Sequence, residues 1–203
     1  QYAPVGTLEI PSGKLTGVVE RVPFRRAFDA AIRVFGPMQR VVVFADDTVA
    51  SGAVWQNLRR SLLTEGDTYP LQIVDFIEIS TFEEWKEKVE EYQDRVDAIA
   101  VLNYHRVPRE VARWTAENSE VPVFGLLSDW SADGYVMSYG NSGFDVGAFV
   151  GDYGAEVLKG RDAGQMPIVD PNLYEMTFNQ TMIDHLELKI PQAELDRAAD
   201  IFE

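Results

Sequence analysis

Four segments are mostly apolar on both faces rather than alternating: Arg40 to Ala45 (RVVVFA), Leu71 to Ile79 (LQIVDFIEI), Val96 to Leu102 (VDAIAVL) and Val121 to Leu127 (VPVFGLL). Strands with both faces apolar belong in a parallel sheet covered by helices. Between them the apolar period lengthens to that of a helix. Ala50 to Leu63 places Val54, Leu58 and Leu62 on one face, and Phe82 to Arg95 does the same with Phe82, Trp85, Val89, Tyr92 and Val96. Thr81 and Glu84 have the T-x-x-E spacing of a capping box at the start of the second helix. A third helix is predicted from about Pro108 to Asn118, with Val111 and Trp114 inward. Alternating strands and helices predict right-handed βαβ crossovers and an α/β fold with a doubly wound parallel sheet.

The flanks are less regular. Ahead of this unit, a short strand is expected around Leu15 to Val19 and a helix from about Pro23 to Phe35, stopped by Gly36 and Pro37. Behind it, NSGFDVGAFVGDYGAEVLKG reads as one long helix despite its glycines, ended by Gly160. The cluster GQMPIVDP, Gly164 to Pro171, reads as an exposed connection. The tail predicts a strand, a helix, a turn at Pro191 and a closing amphipathic helix.

Composition narrows the function classes. The chain of 203 residues suits one large α/β domain or two small ones. Acidic residues outnumber basic ones 33 to 18, for a formal net charge of −15, so long-range electrostatics disfavour nucleic acid and anionic membrane. No cysteine is present, which removes disulfides, thiolate nucleophiles and cysteine metal ligands. No apolar run approaches the ~18 residues of a spanning helix. The chain opens on Gln1 without a basic-then-apolar leader, as a mature or trimmed protein also would.

Ligands of open parallel sheets bind beyond the carboxyl ends of the strands. Three predicted loops emerge there: FADDTVASG, LNYHR and LLSDWSADG. They nominate Asp46, Asp47, Thr48, Ser51, Asn103, Tyr104, His105, Arg106, Ser128, Asp129 and Trp130 as a polar and aromatic mouth. Trp85 and Trp114 are expected in the core, whereas Trp130, among polar neighbours, is expected to face solvent or ligand. Helix N-termini at Thr48 and near Pro108 suit a carboxylate. Asp46, Asp47 and Asp129 suit an ammonium, and Tyr104 and Trp130 could cover an apolar body. Asp47 or Thr48 could equally cap the helix that follows.

Other chemistries fit less well. A receiver domain also begins with an acidic pair after a strand, but Asn103 stands where its phosphoacceptor Asp should be, and no Lys lies near LLSDWSADG. A metal would need Asp46, Asp47, Asp129 and His105 to converge. Ser51 or Ser128 with His105 and Asp129 makes a triad only on paper. There is no G-x-S-x-G elbow, Walker loop or H-E-x-x-H. The glycines of GFDVGAFVG sit inside a helix, not between strand and helix. No cofactor and no metal are expected.

Several stretches taken in order resemble a known family. They are KLTGVVERVPFRRAFDAAIRVFGPMQRVVVFADD, VDAIAVLNYH, VPVFGLLSDWSADGYVMSYGNSGFDVGAFVGDYGAEVLKG and NQTMIDHLELKIP. These resemble the ABC-transporter substrate-binding proteins related to aromatic amino-acid binders, which adopt the type I periplasmic binding fold. The resemblance covers nearly the whole chain and matches the C-terminal two-thirds of the family. It implies that an N-terminal lobe supplying half of the ligand cleft is largely missing from this chain. Residues 1–19 would then be an inter-lobe crossover with a remnant of the first lobe, 20–135 a Rossmann-like second lobe, and 136–203 a crossover, return helix and tail. Thr16, Gly17, Ser138, Tyr139 and Gly140 would act as hinges. The implied function is capture of a small, amino-acid-like solute without catalysis, in partnership with the membrane permease of an ABC transporter or a sensor protein. The implied location is periplasmic or extracellular, with room for a membrane anchor in a longer protein. The rival readings are a ligand-sensing or protein-interaction domain and, behind these, a Rossmann-like enzyme. The loops differ from those of the amino-acid binders, so the resemblance carries no ligand identity.

Overall fold

The computed structural model describes residues 14–65, 68–104 and 109–203. Its centre is a seven-stranded sheet. In chain order the strands are β2 (Arg40–Asp46), β3 (Gln72–Ile79), β4 (Ala98–Val101), β5 (Val123–Gly125), β6 (Met137–Asn141), β8 (Tyr174–Asn179) and β9 (Asp200–Phe202). In space they run β3-β2-β4-β5-β6-β8-β9. All neighbours are parallel except β6 and β8, which pair antiparallel from Met137↔Phe178 to Asn141↔Tyr174. Two further strands, β1 (Gly17–Val18) and β7 (Ile168–Val169), form a separate parallel pair.

The four long predicted strands are present: β2 runs one residue further, to Asp46, and the other three are trimmed at their ends. Both faces of β2 are covered, as continuous apolarity requires. Val41, Val43 and Ala45 pack with α1 (Phe24–Phe35) and α2 (Val49–Glu65). Val42 and Phe44 pack with α3 (Phe82–Gln93) and α4 (Glu110–Asn118). Buried Ala27, Ala30 and Ala31 of α1 share the first cluster with Ala98 and Ala100 of β4. Side chains this small let a helix lie close on the sheet.

The capping box at Thr81 is partly as expected. The Thr81 hydroxyl accepts from the Glu84 amide at 3.1 Å, while the Glu84 carboxylate reaches the amide of Ser80, not of Thr81, at 2.9 Å. Trp85 is fully buried and donates Nε1 to Thr115 Oγ1 at 2.8 Å. Trp114, expected in the core, is only half-buried, edge-on to Phe82.

Two features depart from the sequence reading. The closing helix is a single turn, α7 (Gln192–Leu195), after which the chain adds β9 to the sheet. The stretch expected as an exposed connection contains β7, too short for any periodicity to reveal. β6, β8 and β9 extend the same sheet as β2 to β5. Ser138, Tyr139 and Gly140 lie inside β6, where antiparallel pairing to β8 fixes all three and Ser138 also pairs with β5. The strand beside β1 is β7. The long helix is as expected, α5 (Gly143–Leu158), but only Val146 is buried on it, and Phe144 and Leu158 are exposed.

Candidate functional site

The order β3-β2-β4 means that the chain leaves β2 in one direction across the sheet and returns past it in the other. The carboxyl ends of β2 and β4 therefore flank a switch point, where open α/β sheets form their crevice. β5 and β6 continue the same rim, since all four strands run parallel. The Leu102 amide bonds to the Phe44 carbonyl at 2.8 Å and the Leu126 amide to the Val101 carbonyl at 2.8 Å, so the three predicted loops do share an edge.

At the switch point sits a buried polar network. The Asp46 amide donates to Asn103 Oδ1 at 3.0 Å. Thr48 Oγ1 and Ser51 Oγ each donate to Asp46 Oδ1 at 2.8 Å. The Asn103 amide group donates to Ser51 Oγ at 3.0 Å. Thr48 Oγ1 in turn accepts from the Ser51 amide at 3.3 Å, the bond of a helix cap. Asp46 and Ser51 are fully buried and Asn103 nearly so. This network locks the first turn of α2 to the end of β4. Thr48 is half-buried at its edge, and Asp47 is exposed, accepting from Ser80 Oγ at 3.0 Å.

The expectation that Trp130 faces solvent is not met. It lies in a six-residue 3-10 helix, Ser128–Asp133, and is 6% exposed. Its Nε1 donates to the Leu102 carbonyl at 2.9 Å, and its ring lies 4.4 Å from that of Tyr104. Tyr104, 2% exposed, donates its hydroxyl to Asp133 Oδ2 at 2.8 Å, and Asp133 meets Arg109 at 3.3 Å. Burial first, then the neighbouring Tyr135 and Asp133, push the Tyr104 phenol well above its ordinary range. The two aromatic rings are thus packed into the core beneath the rim.

Ser128 is also buried, donating to the Asn141 carbonyl at 2.8 Å, while its own carbonyl accepts from Thr177 Oγ1. Asp129 is exposed on the rim. His105, with Arg106 and Pro108, lies outside the described residues, so a triad or metal set built on it is not placed. Among the described residues no group of three metal-ligating side chains gathers. Ser51 and Ser128 spend their hydroxyl protons on a carboxylate and a backbone carbonyl.

Asn141 was not among the nominated residues. Its carboxamide donates to the Arg21 carbonyl at 3.1 Å, which joins the Ser128 loop to the approach to α1. Sequence offered only one signal for that region, the basic cluster Arg21, Arg25 and Arg26 in an acidic chain.

A doubly wound sheet with its crevice at the strand ends is a ligand-binding architecture that many protein families share. Residues 4–202 match the family described as ABC transporter substrate binding protein, and the chain belongs to that family. No curated protein matches it. Among solved structures it is similar to a conserved domain protein from Vibrio cholerae, at 20% identity and a TM-score of 0.70, over 92% of this chain and 62% of that one. It is similar to an ABC domain from Streptococcus pneumonia in complex with L-Trp, at 17% identity and a TM-score of 0.72, over 96% of this chain and 67% of that one. A ligand-free, open substrate-binding protein with adhesive properties from Clostridium difficile matches at 14% identity and a TM-score of 0.71, over 98% and 68%. The chain thus spans about two-thirds of the length of these structures, and they share with it the periplasmic-binding-protein-like fold.

Proposed function

We propose that this chain supplies one wall of the cleft of an extracytoplasmic solute receptor serving an ABC-type uptake system. It captures a small, amino-acid-like molecule without transforming it and hands it to a membrane permease. The observation that carries this reading, beside the family match, is the shared rim formed by the ends of β2, β4 and β5 at the switch point.

The roles of the nominated residues divide by burial. Asp47, Thr48 and Asp129 contact the solute from the rim, the carboxylates suiting an ammonium. Asp46, Ser51, Asn103 and Ser128 hold the loops in position from below. Tyr104 and Trp130 brace the rim instead of covering the ligand. Thr16, which donates to the Pro167 carbonyl at 3.3 Å, and Gly17 belong to the crossover pair β1 and β7, which acts as the hinge.

The test is native mass spectrometry of gently purified protein, followed by thermal melts against the common amino acids. A retained small molecule, or a saturable rise in Tm with one amino-acid class, is the expected outcome. A protein that emerges empty and whose Tm no amino acid moves would overturn the reading.

A further inference from the structure

The start of α1 and the start of β8 line an open surface groove of about 280 Å³ whose walls include the exposed Arg21, Arg25 and Arg26 with Tyr69, Asp170 and Tyr174. It opens near the same rim. Tyr174 pairs with Asn141 at the carboxyl end of β6, and Asn141 holds the Arg21 carbonyl while accepting from Ser128.

The charges here run against helix electrostatics. Acids stabilise the first turn of a helix, and cations there are repelled by the unpaired N–H groups. α1 begins behind Pro23 with no side-chain cap and no acid in its first turn, yet places Arg25 and Arg26 in it. Acids elsewhere do little to compensate. Arg25 donates to the Thr68 hydroxyl at 3.2 Å, and the Arg26 guanidinium lies 5.0 Å from the centre of the Tyr174 ring. Among the described residues neither meets a carboxylate, in a chain where acids outnumber bases 33 to 18. Arg21 reaches Asp170 only at 3.6 Å and is 72% exposed. A bound anion would relieve this repulsion, and guanidinium forks match a carboxylate's two oxygens.

We infer that this groove is the anion subsite of the cleft, taking the carboxylate of a small organic acid on Arg25 and Arg26, with the ligand body against the rings of Tyr69 and Tyr174. The inference rests on the solute-capture reading and specifies the anionic half of the ligand. It also divides the rim by charge: the acids Asp47 and Asp129 stand at the ends of β2 and β5, and the arginines stand beside β6 and β8.

The experiment is isothermal titration and thermal melting of the chain with benzoate, glutarate and benzylamine as probes. Saturable binding of benzoate or glutarate, with none of benzylamine at the same site, is expected. Arg25→Gln/Arg26→Gln should weaken the carboxylate at least tenfold, and Arg161→Gln, on the loop after α5, should leave it unchanged. Should the double glutamine variant fail to fold, Arg25→Lys/Arg26→Lys keeps the charge but loses the fork and should bind with intermediate affinity. Absence of carboxylate binding, or equal affinity in wild type and either double variant, overturns the inference. An amino acid that raises the Tm of wild type and of the glutamine variant alike would leave solute capture standing and remove this subsite alone.

Discussion

The Asp46 amide donates at 3.0 Å to the side-chain oxygen of Asn103, which lies 57 residues further along the chain. The same amide also donates to the Asn103 carbonyl at 3.1 Å, so Asn103 holds the switch point through both its backbone and its side chain. This pairing joins the loop after β2 to the loop after β4, and the Asp46 carboxylate then gathers the hydroxyls of Thr48 and Ser51.

Asp46→Ala removes the carboxylate that accepts from Thr48 Oγ1 and Ser51 Oγ, leaving Ser51 with Asn103 Oδ1 and Thr48 Oγ1 as neighbours. Each lost bond to a charged acceptor costs about 1.5–3 kcal/mol, partly recovered by those neighbours, so a loss of about 2–4 kcal/mol is expected. Urea unfolding checks it. A variant within about 0.5 kcal/mol of wild type would show that the network contributes little.

Trp130→Ala removes a packed indole and its bond to the Leu102 carbonyl. A destabilisation of about 3–5 kcal/mol is expected, and Trp130→Phe should recover part of it by refilling the space beside Tyr104. The melting temperature separates this from a ligand-contact role, in which affinity would fall with Tm unchanged.

Glycine substitutions should have opposite signs in neighbouring elements. A Cβ at Gly140 would stand 2.5 Å from the Ser128 amide nitrogen and 2.6 Å from Leu127 Cα, both backbone, so Gly140→Ala forces the loop off β6. A large fall in Tm or failure to fold is expected. A Cβ at Gly147 meets nothing within 4 Å, and Gly147→Ala in α5 should stabilise by about 0.5–1 kcal/mol. Equal responses at both positions would contradict this packing.

Tyr92 donates its hydroxyl to Asp75 Oδ2 at 2.7 Å, and its phenol is pushed up to about 12, first by burial and then by that bond and the carboxylate's charge. The folded state thus holds a proton that the unfolded chain releases near pH 10, as an ordinary tyrosine does. This contribution is fully present below pH 10 and is lost as the pH rises toward 12. Urea midpoints at pH 9 and 11 should fall further for wild type than for Tyr92→Phe. Parallel falls would show no linkage at this site.

Much of the fold was legible because burial on both sides leaves a plain mark. Val41 to Ala45 and Ala98 to Val101 are apolar throughout, which identifies central parallel strands wherever they stand. β6 left no such mark, and β8, readable as a strand at the start of the tail, gave no sign of its partner, since Ser138 and Thr177 are buried polar residues whose place is set by neighbours far along the chain. Trp130 was misread for a related reason. Its sequence neighbours are polar, but the 3-10 turn folds it back onto Tyr104 and Leu102.

The site divides in the same way. The chain alone determined which loops end together, because parallel strands joined by helices must release their carboxyl ends on one side. It could not rank the side chains within those loops. Depth beneath the rim decided that Asp46, Ser51 and Asn103 satisfy one another while Asp47 and Asp129 meet solvent. Tertiary structure alone also placed Arg21, Arg25 and Arg26 beside Tyr174, because α1 and β8 are more than a hundred residues apart and meet only when both pack against β6.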